Sequence, residues 1–140
     1  MGLNRDTTAR DMGYQGVVHT IVEPIDYTQE NVVVDVLSSK LPAGAMVVGG
    51  GIQVTTAFND SGTDTIDVGF RDGSTTDDPD AYATLVSVVA VGFYELDALG
   101  AAANIVQSKD TILTWRYNGE NNNASAGAGF LIVNYVLPVS

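Results

Sequence analysis

The residues with the greatest chemical potential are acidic. Asp72, Asp77, Asp78 and Asp80 crowd the segment RDGSTTDDPD. Calcium takes six to eight oxygen ligands from a folded loop. This segment lacks the EF-hand order and its closing glutamate, so it reads first as a solvated loop and second as a weak cation site. His19 is the single histidine and the chain has no cysteine. A thiolate zinc site, a disulfide framework and a cysteine nucleophile are therefore excluded. A triad would need His19 beside a serine and a carboxylate. Between Val18 and Thr20 on a strand, it reads instead as a packing or surface residue. The glutamates Glu23, Glu30, Glu95 and Glu120 are the remaining acid–base candidates. None lies in the aromatic-rich strand a sugar site would favour. Gly49, Gly50 and Gly51 run into Ile52-Gln53-Val54-Thr55-Thr56, a strand pattern. A phosphate loop would lead into a helix. The glycines read as a bulge, a bend or a close approach of two backbones. No catalytic residue, cofactor or metal is expected.

Charge narrows the partners. The 140 residues carry 17 acidic and 6 basic side chains, a formal net charge of -11. Such a chain is repelled by nucleic-acid phosphates and by anionic membranes. No apolar run reaches the ~18 residues that span a bilayer. The start, Met-Gly-Leu-Asn-Arg-Asp, lacks the apolar core of a secretion signal. Asn59-Asp60-Ser61 and Asn123-Ala124-Ser125 match the glycosylation triplet by chance on this reading.

The elements that hold these residues are strands. In Ile66, Val68 and Phe70 against Thr65, Asp67 and Gly69 the alternation has period 2. Leu41 to Phe70 reads as a hairpin turning at Asn59-Asp60-Ser61-Gly62. Other strands are expected over Tyr14–Ile25, limited by Pro24, then over Asn31–Leu37, Ala83–Tyr94 and Asp110–Tyr117, and over Ala128–Leu137 at the end. In Asp110–Tyr117, Leu113, Trp115 and Tyr117 face inward and Thr114 and Arg116 outward. Glu95–Ala103 can form a short helical turn, and Ile105–Gln107 a short edge strand. Ala83–Tyr94 and Ala128–Leu137 are apolar on both faces, as a buried strand or a subunit contact requires. About eight strands with turns at intervals of roughly ten residues predict an all-β fold, an antiparallel β-sandwich of jelly-roll type. Residues 14–140 form that domain. Residues 1–13 form an extended N-terminal arm of alternating charge.

The leucine-proline-alanine-glycine turn at Leu41–Gly44, the VTTAFND segment at Val54–Asp60, and the final Ser-Ala-Gly turn with its strand ending Val-Asn-Tyr-Val carry a resemblance. Over about residues 30–137 the chain resembles the capsid decoration, or cement, proteins of tailed bacteriophages and related head-fibre and tail-fibre modules. The resemblance implies a homotrimer on the outer surface of the virion head, bound to the major capsid protein and stabilising the shell without catalysis. Leu3, Arg5, Arg10 and Met12 of the arm would then contact the coat. The alternative is a head-fibre or tail-fibre module that binds a receptor or carbohydrate. That role calls for exposed loop aromatics, which Arg71–Asp80 and Asn118–Gly127 lack.

Overall fold

A computed structural model describes residues 17–72, 77–102 and 108–137. Among the described residues eight strands follow one another: β1 His19–Asp26, β2 Val33–Leu41, β3 Met46–Thr56, β4 Asp64–Arg71, β5 Asp78–Ser87, β6 Gly92–Glu95, β7 Thr111–Gly119 and β8 Ala128–Val136. A 3-10 turn at Tyr27–Gln29 joins β1 to β2, and a helical turn, α1, occupies Leu99–Ala102. Asp26 starts the 3-10 turn by accepting the Thr28 N–H at 2.8 Å. This is the role short acidic side chains play at helix starts.

The strands form two four-stranded sheets, ordered β1-β8-β3-β6 and β2-β7-β4-β5. β1 pairs with β8, β2 with β7, β3 with β6 and β4 with β5, all antiparallel. The chain is thus one long antiparallel ribbon folded over on itself. This is the jelly roll, as expected, and it requires each consecutive strand to cross between sheets at one end or stay at an edge.

That topology corrects the hairpin expected over Leu41–Phe70. β3 lies in one sheet beside β8 and β6, while β4 lies in the other beside β7 and β5. The Asn59–Gly62 turn is a corner between layers. Period-2 alternation shows which face of a strand is buried but not which strand lies beside it. The expected strand Ala83–Tyr94 is likewise two. β5 stops at Ser87 on the edge of one sheet, and β6 begins at Gly92 on the edge of the other. Val88 is buried at the crossing, where its N–H reaches Asp64 O at 3.1 Å and its carbonyl accepts from Phe58 N at 3.2 Å. β2 runs on past Leu37, the end expected for it, to Leu41. β1 keeps its register past Pro24, which is tolerated because β1 is an edge strand.

Between the sheets lies one core. Ile21, Ile25, Ile52, Val54, Leu131 and Val133 from one sheet meet Val36, Ile66, Val68, Leu113, Trp115 and Tyr117 from the other. Burying each large side chain contributes roughly 1.5–3 kcal/mol. Leu113, Trp115 and Tyr117 point inward as their alternation requires. Thr114 points to the opposite face yet is only 1% exposed. It sits at the base of a cleft lined by Val33, Phe70, Arg71, Asp77 and Pro79, which shield it. The arm at 1–13 and the edge strand expected at 105–107 lie outside the described residues.

Candidate functional site: one apolar sheet face and one polar corner

The two outer faces of the sandwich differ in chemistry. On the β2-β7-β4-β5 sheet the outward rows mix exposed Val33, Leu37 and Leu85 with paired charged and polar groups. Arg71 pairs with Asp35. Asp67 accepts the Leu85 N–H at 2.7 Å and the Asn118 side-chain amide at 3.0 Å. Asp67 is thus satisfied within the sheet, whereas Asp35 Oδ1 and Thr114 Oγ1 are buried without a hydrogen-bond partner.

The outer face of the β1-β8-β3-β6 sheet is largely apolar. Register places Pro24, Phe130, Gln53 and Phe93 in one cross-strand row, and Val22, Ile132, Gly51 and Glu95 in the next. Val22 is 53% exposed, Phe93 50% and Phe130 41%. Val18 and Val48 extend the patch. Its polar groups include Glu95 on the β6 edge, Thr20, which donates to Asn134 at 2.9 Å, and Gln53, which donates to Gly92 O at 3.2 Å. Contiguous apolar faces of this kind are common at contact surfaces. The two-sided apolar pattern of β8 was its sequence signal. The matching pattern in Ala83–Tyr94 has another origin, since Val88 fills the crossing between sheets.

At one end of the sandwich, the corner Asn59–Gly62 is laced to the loop that follows β7. Asn59 accepts the N–H groups of Ser125 at 2.8 Å and Ala126 at 2.9 Å. Its amide donates to Ser125 Oγ at 3.0 Å. Ser61 Oγ accepts from the amides of Asn121 and Asn123, both at 2.9 Å. The asparagines of both glycosylation triplets are therefore employed as cross-links between loops. Asp60 is buried and accepts N–H groups from Gly62 at 2.7 Å, Asn123 at 3.1 Å and Asn121 at 3.1 Å. Burial works to raise its pKa, but the bond with Glu30 and these N–H groups outweigh it and hold the carboxyl well below its usual range. Asp64 accepts the Asp60 N–H at 2.8 Å and the Tyr117 hydroxyl. Burial, then the bond to Asp64, pushes the Tyr117 hydroxyl well above its ordinary value. Asn31 adds a side-chain imitation of a strand pair. Its amide donates to Gly119 O at 2.7 Å and its carbonyl accepts Gly119 N–H at 3.1 Å. Sequence reading found the two polar turns but not their mutual contact, because no local pattern in either one reports the other.

The remaining candidates are placed as follows. Leu3, Arg5, Arg10 and Met12 lie outside the described residues. His19 stacks on Tyr135, ring centroids 5.1 Å apart. In the acidic loop, Asp77 accepts the Asp72 N–H at 3.1 Å and Lys109 approaches Asp72 at 3.8 Å. Asp78 is pushed up, first by burial and then by the neighbouring Asp80 side chain. Among the described residues no three histidine or carboxylate side chains gather to hold a metal. Glu23 accepts from Ser38 at 3.4 Å. Among the described residues no helix is long and apolar enough to cross a membrane.

No family model matches the sequence, and none of the curated proteins matches it. Solved structures do share the fold. A chain in the capsid of Ralstonia phage GP4 is 19% identical with a TM-score of 0.68, over 90% of this chain and 88% of that one. A chain in the acid-stable capsid of the Helicobacter pylori bacteriophage KHP30 is 22% identical with a TM-score of 0.57, over 88% and 90% of the two chains. A chain of the cyanophage Pam1 capsid asymmetric unit is 18% identical with a TM-score of 0.58, over 86% and 85%. At these identities the likeness is one of fold.

Proposed function

We propose that this chain is a non-enzymatic structural protein of a phage virion, a decoration protein that binds the outer surface of the assembled head as a trimer and stabilises the shell. The observation that supports it best is the jelly roll shared, nearly end to end, with three chains from phage capsids. The second support is the apolar outer face of the β1-β8-β3-β6 sheet. A ligand that binds only the assembled lattice stabilises it by mass action, and repetition over a symmetric shell adds avidity. Major capsid protein and further copies of this chain are the partners. Leu3, Arg5, Arg10 and Met12 supply coat contacts from the arm.

Two outcomes test this reading. The purified chain is expected to sediment as a trimer at micromolar concentration. Phe130→Glu combined with Val22→Glu is expected to shift it towards monomer. The fold should hold, with an unchanged circular-dichroism spectrum, because surface substitutions change the stability of a protomer by only about 0.5 kcal/mol. A wild-type chain that sediments as a monomer rejects the trimer. Separately, deleting residues 1–13 is expected to leave the circular-dichroism spectrum unchanged and to reduce occupancy on purified shells. Full occupancy by the truncated chain, counted by electron microscopy, rejects the role given to the arm.

A further inference from the structure

We propose that Glu30 and Asp60 form a carboxyl–carboxylate clasp around one shared proton, and that this clasp fastens the loop end of the sandwich in acid and loosens as pH rises. The inference stands on the corner itself and is independent of the virion role.

The geometry carries it. Every Asp60 oxygen faces backbone donors: Oδ1 accepts from Gly62 at 2.7 Å and Asn121 at 3.1 Å, and Oδ2 from Asn121 at 3.2 Å and Asn123 at 3.1 Å. Glu30 Oε1 accepts the Ala124 N–H at 3.1 Å. Glu30 Oε2 is enclosed and meets no donor. It lies over the Gly119 backbone beside Asp60 Oδ2, where a Cβ on residue 119 would collide with both carboxyl groups. Two ionised carboxylates in that enclosure repel each other. A single proton replaces the repulsion with a charge-assisted hydrogen bond.

The donor count decides where the proton resides. Asp60 is surrounded by amide N–H groups that favour its charged form, and Glu30 has one. Glu30 therefore holds the proton and donates it to Asp60. Burial, then the bond to Asp60, raises the Glu30 pKa, and the charges of Asp60 and Asp64 raise it further against the Ala124 N–H. The titratable neighbours are Asp60 from the β3–β4 corner, Asp64 from β4, Tyr117 from β7 and Glu120, which lies against Gly62. The same N–H groups aim positive charge at Asp60, which favours a proton over a metal ion as the bridge.

The sign follows. Glu30 has a raised folded pKa, so its contribution is complete below its unfolded value and is lost as pH rises through the folded value. Asp60 is depressed, so its contribution persists above the unfolded carboxylate value and disappears only as pH falls through its own low value. The corner is tightest on the acid side of neutrality.

The test is a carbon-detected NMR titration of the side-chain carboxyls in the full chain, with hydrogen exchange of residues 119–126. The Glu30 midpoint is expected above the ordinary glutamate value, and should fall towards it in Asp60→Asn. Between pH 5 and 9, opening of the Asn121 and Asn123 amides should rise several-fold beyond the intrinsic exchange rate in the wild type. In Glu30→Gln it should stay flat, because the glutamine amide donates to Asp60 at every pH. A Glu30 midpoint at the ordinary glutamate value overturns the proposal. So does equal pH dependence in Glu30→Gln, or protection of these amides that rises with added calcium.

Discussion

Replacing Tyr117 by alanine is expected to remove about 3–5 kcal/mol of stability, the range for deleting a large buried aromatic. The ring is fully buried and meets Phe58 edge-on with centroids 4.7 Å apart. Its hydroxyl donates to Asp64, which also accepts the Asp60 N–H. A whole domain of this size has roughly 5–15 kcal/mol in hand, so the variant should unfold at much lower denaturant. Tyr117→Phe separates the two contributions. It keeps the ring and removes only the hydroxyl, so about 1–3 kcal/mol should be lost through the deprived Asp64 acceptor. Urea unfolding followed by tryptophan fluorescence from Trp115 measures both. If Tyr117→Phe proves as stable as the wild type, the hydroxyl bond is not holding the corner.

Gly50→Ala is the second large effect. Gly50 sits at φ +122, next to the irregular register between β3 and β8 at Val47 and Gly49. A Cβ there would strike the Ile132 carbonyl of the neighbouring strand. Backbone strain of roughly 1–3 kcal/mol adds to overpacking of similar size. The melting temperature should fall by on the order of 10 °C. Gly44→Ala is the control. Gly44 also has positive φ, +88, but a Cβ there meets nothing within 4 Å. It should lose only roughly 1–2 kcal/mol from strain alone. Equal losses at the two positions would mean that the Ile132 clash relaxes away.

These sites show how far local pattern reaches. The glycines at 49–51 were legible as a bulge or close approach, because three glycines within an apolar run have few other uses in a strand. The inward set Leu113, Trp115 and Tyr117 was legible from period 2. The Asp60 corner was visible only as a polar turn. Its partners Glu30 and Asn121 are separated from it by tens of residues, and a hydrogen bond across that distance leaves no local trace. Alternation puts Thr114 outward but does not reveal its burial, since its shield comes from Arg71 and Pro79 on other strands.

By itself the sequence determined that the chain is all-β, that it has a core with known inward residues, and that it has no thiol to act as a nucleophile or ligand. Those conclusions rest on side-chain type and on alternation, both of which are local. The tertiary structure alone decided that β3 and β4 part into different sheets, that Ala83–Tyr94 breaks at Val88, and that Val22, Phe93 and Phe130 share one outer face. It also decided that Glu30 meets Asp60. Each is a matter of which strand lies beside which, and long-range pairing is set by the closing of the whole ribbon rather than by any single stretch of it.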